Sequence, residues 1–113
     1  MLVFVVEVPF PLSLDAAMPA EEARAQEALR TAEFIVGQHG LLAKTQLLPH
    51  RYTWSGILRV AQQEMVDAIV MGVGASRPGQ DEGVGRTAQE LLKRAQCEVI
   101  LDRRPVWLRQ MAH

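Results

Sequence analysis

A glycine-rich stretch in the second half of the chain carries the residue types that favour phosphate binding. Five of the eight glycines lie from Gly72 to Gly85, together with Pro78, and the stretch has no sustained periodicity, so we predict a loop. Glycine lets backbone N–H groups approach an anion closely, and the amino end of a following helix adds partial positive charge. Arg77 and Arg86 can add full charges. A mobile surface loop whose glycines only form turns explains the same composition equally well.

Standard phosphate-binding motifs do not decide between these two interpretations. Residues 79–86 lack the Lys-Ser or Lys-Thr ending of a Walker loop. Residues 83–88 fit the G-x-G-x-x-A form of a dinucleotide-binding turn, but they lie well beyond the preceding predicted strand instead of directly on it.

The remaining polar residues are weaker candidates for chemistry. His39, His50 and His113 are scattered, and no His or Cys has metal-ligand spacing, so we expect no metal site. Ser55 lacks the flanking glycines of a nucleophile elbow, and the sequence assigns it no His or acid. We therefore predict no catalytic residue and expect the chain not to be an enzyme. Residues 50–52 can line a ligand cleft, although a solvated loop is the favoured interpretation.

Composition fits one compact domain and excludes several classes of protein. The chain has 113 residues, 49% of them apolar, and its 12 basic and 13 acidic residues give no basic excess for binding nucleic acid. Glu7, Pro9 and Pro11 interrupt the first apolar run, well short of the about 20 residues that span a bilayer, so we expect no direct membrane insertion. Cys97 is the single cysteine, which favours a reducing, cytoplasmic location.

Strand and helix patterns alternate along the whole chain. Apolar, β-branched runs predict strands at residues 2–8, 41–48, 68–71 and 97–101. Helices are predicted to begin at Pro19, at Thr53 or Ser55, and near Gly85. Their predicted inward residues are Ala25, Leu29, Ala32, Ile35 and Val36; Ile57, Val60, Ala61 and Met65; and Val84, Ala88, Leu91, Leu92 and Ala95.

This alternation predicts an α/β fold of three layers: a mostly parallel open sheet of four or five strands with helices on both faces. Ligands of such sheets bind outside the carboxyl ends of the strands. The glycine-rich loop follows the third strand and therefore lies at that edge.

The second half of the chain resembles the universal stress protein family, whose adenine nucleotide alpha hydrolase-like domains bind nucleotides. The resemblance rests on residues 66–72, the glycine loop and residues 91–101, and it is clearest over residues 57–102. Residues 2–48 fit the family's second and third strands with the helix between them. The family's nucleotide motif is G-x2-G-x9-G followed by Ser or Thr, between the fourth strand and the last helix.

Gly72 and Gly85 match the first and last glycines of that motif with the right spacing. Ala75 replaces the second glycine, Arg86 stands where the phosphate-binding hydroxyl is expected, and Thr87 follows one place late. The resemblance implies a degenerate site for ATP or AMP. Its nucleotide-binding residues are Gly72, Gly74, Ala75, Gly85, Arg86 and Thr87.

Family members begin with a strand and helix that are missing here, and the missing strand would lie between the first and third strands of this chain. Either those two strands pair directly or another segment fills the position. We predict a domain at residues 1–103 and a tail at residues 104–113. The apolar part of the tail, residues 106–111, either covers a hydrophobic face, which is the favoured interpretation, or forms an added or swapped strand.

Residues 6–15 and 19–25 resemble, more narrowly, the stress-protein-like cytoplasmic domains of amino-acid permeases. This implies a non-catalytic regulatory or assembly domain associated with a membrane transporter, while the resemblance to the stress protein family implies a homodimer formed through the last strand and tail. The alternative is an ATP-binding stress protein with slow hydrolysis, for which only Asp81 or Glu82 offers a general base.

Overall fold

The computed structural model describes residues 1–73 and 85–103. Strands and helices alternate through the described chain, which confirms the predicted α/β class and order of elements. They are β1 (Leu2–Glu7), α1 (Pro19–Gln38), β2 (Thr45–His50), α2 (Thr53–Glu64), β3 (Ala68–Val73), α3 (Arg86–Arg94) and β4 (Glu98–Arg103).

The strands form two parallel pairs. β1 pairs with β2 from Leu2 opposite Thr45 to Glu7 opposite His50, and β3 pairs with β4. Within the described residues these are two parallel sheets of two strands each.

Contacts divide the chain into two compact units, Met1–Ile57 and Leu58–His113, and each unit holds one strand pair. In the first unit, α1 covers the sheet face that carries Val6 and Val8, because a cavity there is lined by these residues and by Met18 and Glu22. The first turn of α2 lies on the opposite face, where Gly56 approaches Val5. This unit therefore has α1 on one face of its sheet and the first turn of α2 on the other.

The predicted second strand was misplaced at both ends. β2 begins at Thr45, not at residue 41, and continues through Pro49, which was expected to close it. Pro49 lies opposite Val6, and β2 has β1 as its one neighbour among the described strands. A strand with a partner on one side tolerates a residue that lacks a backbone N–H, which explains how proline is accommodated.

Burial confirms the centre of the α1 stripe but not its end. Ala25 and Leu29 are buried, whereas Ile35 is exposed. Ile35 follows Leu29 by six positions, so its side chain lies about a third of a turn around the helix from the buried stripe. Met65 is exposed where burial was predicted, since α2 ends at Glu64 and Met65 takes a φ of 49° that turns the chain.

In α3, Ala88 and Leu91 are buried as predicted, and Leu92 is exposed. The prediction that Leu92 points inward is therefore wrong: Leu92 lies about 100° around the helix from Leu91, on the far side of Ala88, at the border of the buried stripe. Val84 lies outside the described residues.

In the part of the chain that the structure describes, no helix has the length and apolar character needed to cross a membrane.

Candidate functional site

The start of α3 lies at the sheet edge predicted for the ligand. α3 connects two parallel strands, and only residues 95–97 separate its last residue from the first residue of β4. Its carboxyl end therefore lies where β4 begins, and its amino end lies at the opposite edge, where β3 ends. This edge carries four of the predicted site residues: Gly72 in β3, Gly85 immediately before α3, and Arg86 and Thr87 in the first turn.

Gly72 lies in β3 opposite Asp102 of β4 and is exposed. A Cβ atom built on Gly72 would have the carbonyl oxygen of Asp102 as its nearest neighbour, at 3.9 Å, which is an ordinary contact. The described packing therefore does not require glycine at this position.

Gly85 precedes α3 with a φ of −58° and a ψ of 164°, and its carbonyl accepts the first helical hydrogen bond from the N–H of Gln89 at 3.1 Å. This φ is accessible to any L-residue, so the positive φ for which glycine is suited does not occur here. A Cβ atom on Gly85 would meet no described atom within 4 Å. Neither the backbone conformation of Gly85 nor the packing of the described residues around it therefore requires a glycine at this position.

Charge along α3 favours an anion at its amino end. The first turn contains Arg86 and no acidic residue, while Lys93 and Arg94 lie in the last turn. Glu90 is drawn toward that last turn, because Arg94 donates its Nε–H to the Glu90 carboxylate at 2.8 Å. This bond, with smaller contributions from the charges of Lys93, Arg94 and Arg86, lowers the pKa of Glu90. The unpaired N–H groups of a first helical turn carry partial positive charge, and Arg86 adds to it.

The remaining residues of the predicted site lie outside the described part of the chain. They are Gly74 and Ala75, with the neighbouring Arg77, Asp81 and Glu82. The predicted tail, residues 104–113, lies outside it too, so its predicted role as a cover or an added strand stays a prediction.

A second group of polar contacts lies where β1 and β2 end. The Glu7 carboxylate accepts a hydrogen bond from the backbone N–H of Thr53, the first residue of α2, at 2.8 Å. The helix begins at Thr53, which was one of the two predicted starts, but the partner of this N–H group comes from β1. A carboxylate at a helix amino end stabilises the orphan N–H groups and the dipole there. Local sequence carries no signal for this contact because 46 positions separate its two residues.

The sequence assigned no histidine to Ser55, but the structure places one beside it. The Ser55 hydroxyl lies 2.6 Å from Nδ1 of His50, and it also lies 3.4 Å from the Tyr52 carbonyl oxygen. Glu7, the carboxylate opposite His50 in the strand register, is bonded to Thr53 instead. The described contacts therefore make a serine–histidine pair that orders the turn between β2 and α2, without the acid of a catalytic triad.

Arg51 holds the segment that follows β1. Its Nη1 donates to the carbonyl oxygens of Val8 at 3.2 Å, Pro9 at 3.3 Å and Leu12 at 2.5 Å. Its guanidinium also lies 4.3 Å from the centre of the Phe10 ring, within range of a cation–π contact. Neither of the sequence-based interpretations, a ligand cleft or a solvated loop, describes this role, since the charged group is engaged by the protein's own backbone.

Across residues 1–73 and 85–103, no three His, Cys, Asp or Glu side chains come close enough together to hold a metal ion.

Comparison with known families places the whole described fold in one of them. The universal stress protein family model matches residues 1–103. A comparison with curated proteins finds no match.

Proposed function

Because this chain belongs to the universal stress protein family over residues 1–103, we propose that it is a non-catalytic regulatory or assembly domain that binds an adenine nucleotide weakly. The observation that supports this proposal is the amino end of α3, which carries Arg86 and no carboxylate in its first turn. Chain connectivity puts this helix end at the edge where β3 ends. Phosphate groups bind at such helix termini because the N–H groups and the dipole act together.

In this proposal ATP or AMP is held by Gly72, Gly74, Ala75, Gly85, Arg86 and Thr87. Gly72 and Gly85 support it, since neither the backbone conformation of Gly85 nor the packing around either residue demands glycine. A missing side chain in these two places leaves room for phosphate to approach the backbone. Ala75 adds a Cβ atom where the family has glycine, and this departure is our reason for expecting weak binding.

Calorimetric titration of the full chain with ATP, AMP and cyclic nucleotides tests the nucleotide site. We expect binding in the micromolar range or weaker, and we expect Gly85→Trp to abolish it because the indole would fill the approach to the first turn of α3. Gly37→Trp is the matched control, since a Cβ at Gly37 also meets nothing within 4 Å but lies in α1. No heat with any nucleotide, or equal binding by both variants, would contradict the proposed site.

We also propose that the chain forms a homodimer through β4 and the tail. β4 pairs with β3 as its one neighbour among the described strands, so its other edge offers backbone groups to a second strand. Sedimentation equilibrium of the full chain and of a chain ending at residue 103 tests this. A dimer that becomes a monomer without residues 104–113 is expected, and an unchanged dimer would exclude the tail.

Association with an amino-acid transporter at the cytoplasmic side of a membrane is the third part of the proposal. It is supported by the resemblance of residues 6–15 and 19–25 to permease domains. The genomic sequence directly upstream tests it: a reading frame that ends in membrane helices is expected, and a neighbourhood without transporter genes would argue against this partner.

A further inference from the structure

A cavity of about 250 Å³ lies in the second unit, at the edge where β3 and β4 begin. One wall is the carboxyl end of α2, and the other is the end of α3 with the residues that join it to β4. The two strand starts are adjacent, since the N–H of Glu98 donates to the Asp67 carbonyl at 3.3 Å. The amino end of α3, where we place the nucleotide, is at the opposite edge of this strand pair. The cavity is therefore a separate place in the fold.

Met65 lines this cavity in a backbone conformation that methionine rarely adopts. It follows the last residue of α2 with a φ of 49°, in the left-handed region that favours glycine. The N–H of Val66 donates to the Ala61 carbonyl at 3.2 Å, and the N–H of Met65 donates to the Gln62 carbonyl at 3.3 Å. Helices that end with this pair of bonds usually have glycine in the place of Met65.

Burial of the Met65 side chain does not offset this strain. The side chain is 85% exposed, so it gains little from packing against the described residues. Strained backbone at a residue other than glycine is concentrated at ligand sites, where the position of the side chain matters more than its cost. The strain at Met65 therefore indicates that its thioether has a function at the cavity.

The walls of the cavity favour a ligand without charge. Among the described residues that line it, Arg94 alone is charged, and its Nε–H already donates to the Glu90 carboxylate at 2.8 Å. The charged residues that flank the lining segments are not part of the lining; they are Glu64, Asp67, Lys93 and Glu98. A charged ligand would lose hydration here without meeting an uncompensated opposite charge.

The other lining residues indicate an aromatic ligand with a polar group. Met65 and Cys97 bring sulfur atoms to an otherwise aliphatic wall, and Gln62 and Gln96 bring carboxamides. A thioether makes favourable contacts with aromatic rings, and the unbranched methionine chain adapts to a flat surface. The carboxamides can donate to or accept from a neutral polar group. Because a cavity of about 150 Å³ holds benzene, this one has room for about ten non-hydrogen atoms.

We propose that this cavity binds a small, neutral aromatic molecule with one hydrogen-bonding group, and that the Met65 side chain lies against its ring. Gln62 or Gln96 bonds the polar group of the ligand. The unusual φ of Met65 is retained because it places the thioether at the ring. This binding requires neither the nucleotide nor the homodimer, so it goes beyond the function proposed above.

Titration of the full chain with indole, followed by NMR of the backbone amides, tests the site. Indole has about the required size and one N–H donor. We expect saturable shifts at residues 61–66 and 94–97, with a dissociation constant of about 1 mM or tighter, and none in the first turn of α3. Ala61→Phe should weaken binding about tenfold or more, because its ring occupies the cavity. Ala32→Phe is the matched control, since Ala32 is also partly buried in a helix but lies in α1.

Met65→Gly separates a role in binding from a role in the fold. Glycine adopts a φ of 49° without strain, so the midpoint of urea unfolding should not fall. Loss of the thioether should weaken indole binding about threefold. A methionine kept only for the fold would give the opposite result, a lower midpoint with unchanged binding.

The proposal would be overturned by the absence of saturable shifts at residues 61–66 and 94–97, or by equal binding of indole to the Ala61→Phe and Ala32→Phe variants. Unchanged binding by the Met65→Gly variant would equally remove the role of Met65. Indole-3-acetate and tryptamine carry a negative and a positive charge on the same ring system. Tighter binding of either one than of indole would contradict the assignment of a neutral ligand.

Discussion

Replacing Gly56 by alanine should destabilise the first unit, although the same replacement usually stabilises a helix. Gly56 lies in α2, where alanine is favoured over glycine by up to about 1 kcal/mol. A Cβ atom on Gly56 would lie 3.0 and 3.1 Å from the two Cγ atoms of Val5 and 3.3 Å from Cβ of His50. All three distances are shorter than ordinary van der Waals contacts.

The neighbouring atoms have little room to move. Val5 is buried, and both of its methyl groups are involved, so a change of rotamer replaces one close contact by another. The Cβ of His50 is fixed to the backbone of β2. Overpacking of this kind costs about 1 to 3 kcal/mol. This cost exceeds the gain in helix propensity, and we expect a net loss of about 1 kcal/mol of unfolding free energy.

Gly37→Ala is the matched control. Gly37 lies near the end of α1, and a Cβ there would meet no atom within 4 Å. We expect this variant to gain about 0.5 to 1 kcal/mol, because helix propensity acts alone. Urea unfolding followed by circular dichroism measures both variants. A Gly56→Ala protein as stable as the Gly37→Ala protein would refute the reasoning from Cβ contacts.

Three further predictions follow from contacts at the helix ends. Glu7→Gln weakens the charged bond to the Thr53 N–H and should lower the unfolding free energy by about 0.5 to 1 kcal/mol in urea unfolding; an unchanged midpoint would contradict a capping role. Arg94→Gln should raise the pKa of Glu90 in an NMR titration, because the Arg94 hydrogen bond is the largest cause of its lowered value. Because the pKa of Glu90 lies below its ordinary value of 4.5, the bond stabilises the fold above this pH, and the stabilisation is lost as the pH falls through the folded-state pKa. The Arg94→Gln variant should lack this pH dependence of stability. A Glu90 pKa that is the same in both proteins would contradict the prediction. Arg86→Ala should weaken nucleotide binding about tenfold in the calorimetric titration, because the variant lacks the guanidinium charge, and unchanged binding would contradict a role for Arg86 at the site.

Local sequence patterns predicted the elements well because their causes are local. The β-branched run at the start produced β1, Pro19 began α1 as its fixed φ favours, and the spacing of Ala25 and Leu29 located the buried stripe. Each of these predictions depends on residues within a few positions of one another.

Features that depend on distant residues had no signal in the local sequence. The division into two strand pairs and the continuation of β2 through Pro49 depend on which strands become neighbours in space. The same is true of the bond from Thr53 to Glu7 and of the three carbonyl groups that Arg51 holds. The spacing of apolar residues along a helix or strand indicates which of its faces is buried. It does not indicate which other element packs against that face.

The sequence by itself determined the alternation of strands and helices, the family motif and the amino end of α3 as the candidate anion site. Only the tertiary structure distinguished the glycines from one another. Gly56 lies against Val5, whereas Gly37 and Gly85 have no described atom near the position of a Cβ. A glycine has the same identity in each place, and its role depends on the atoms that the fold brings within about 4 Å of it.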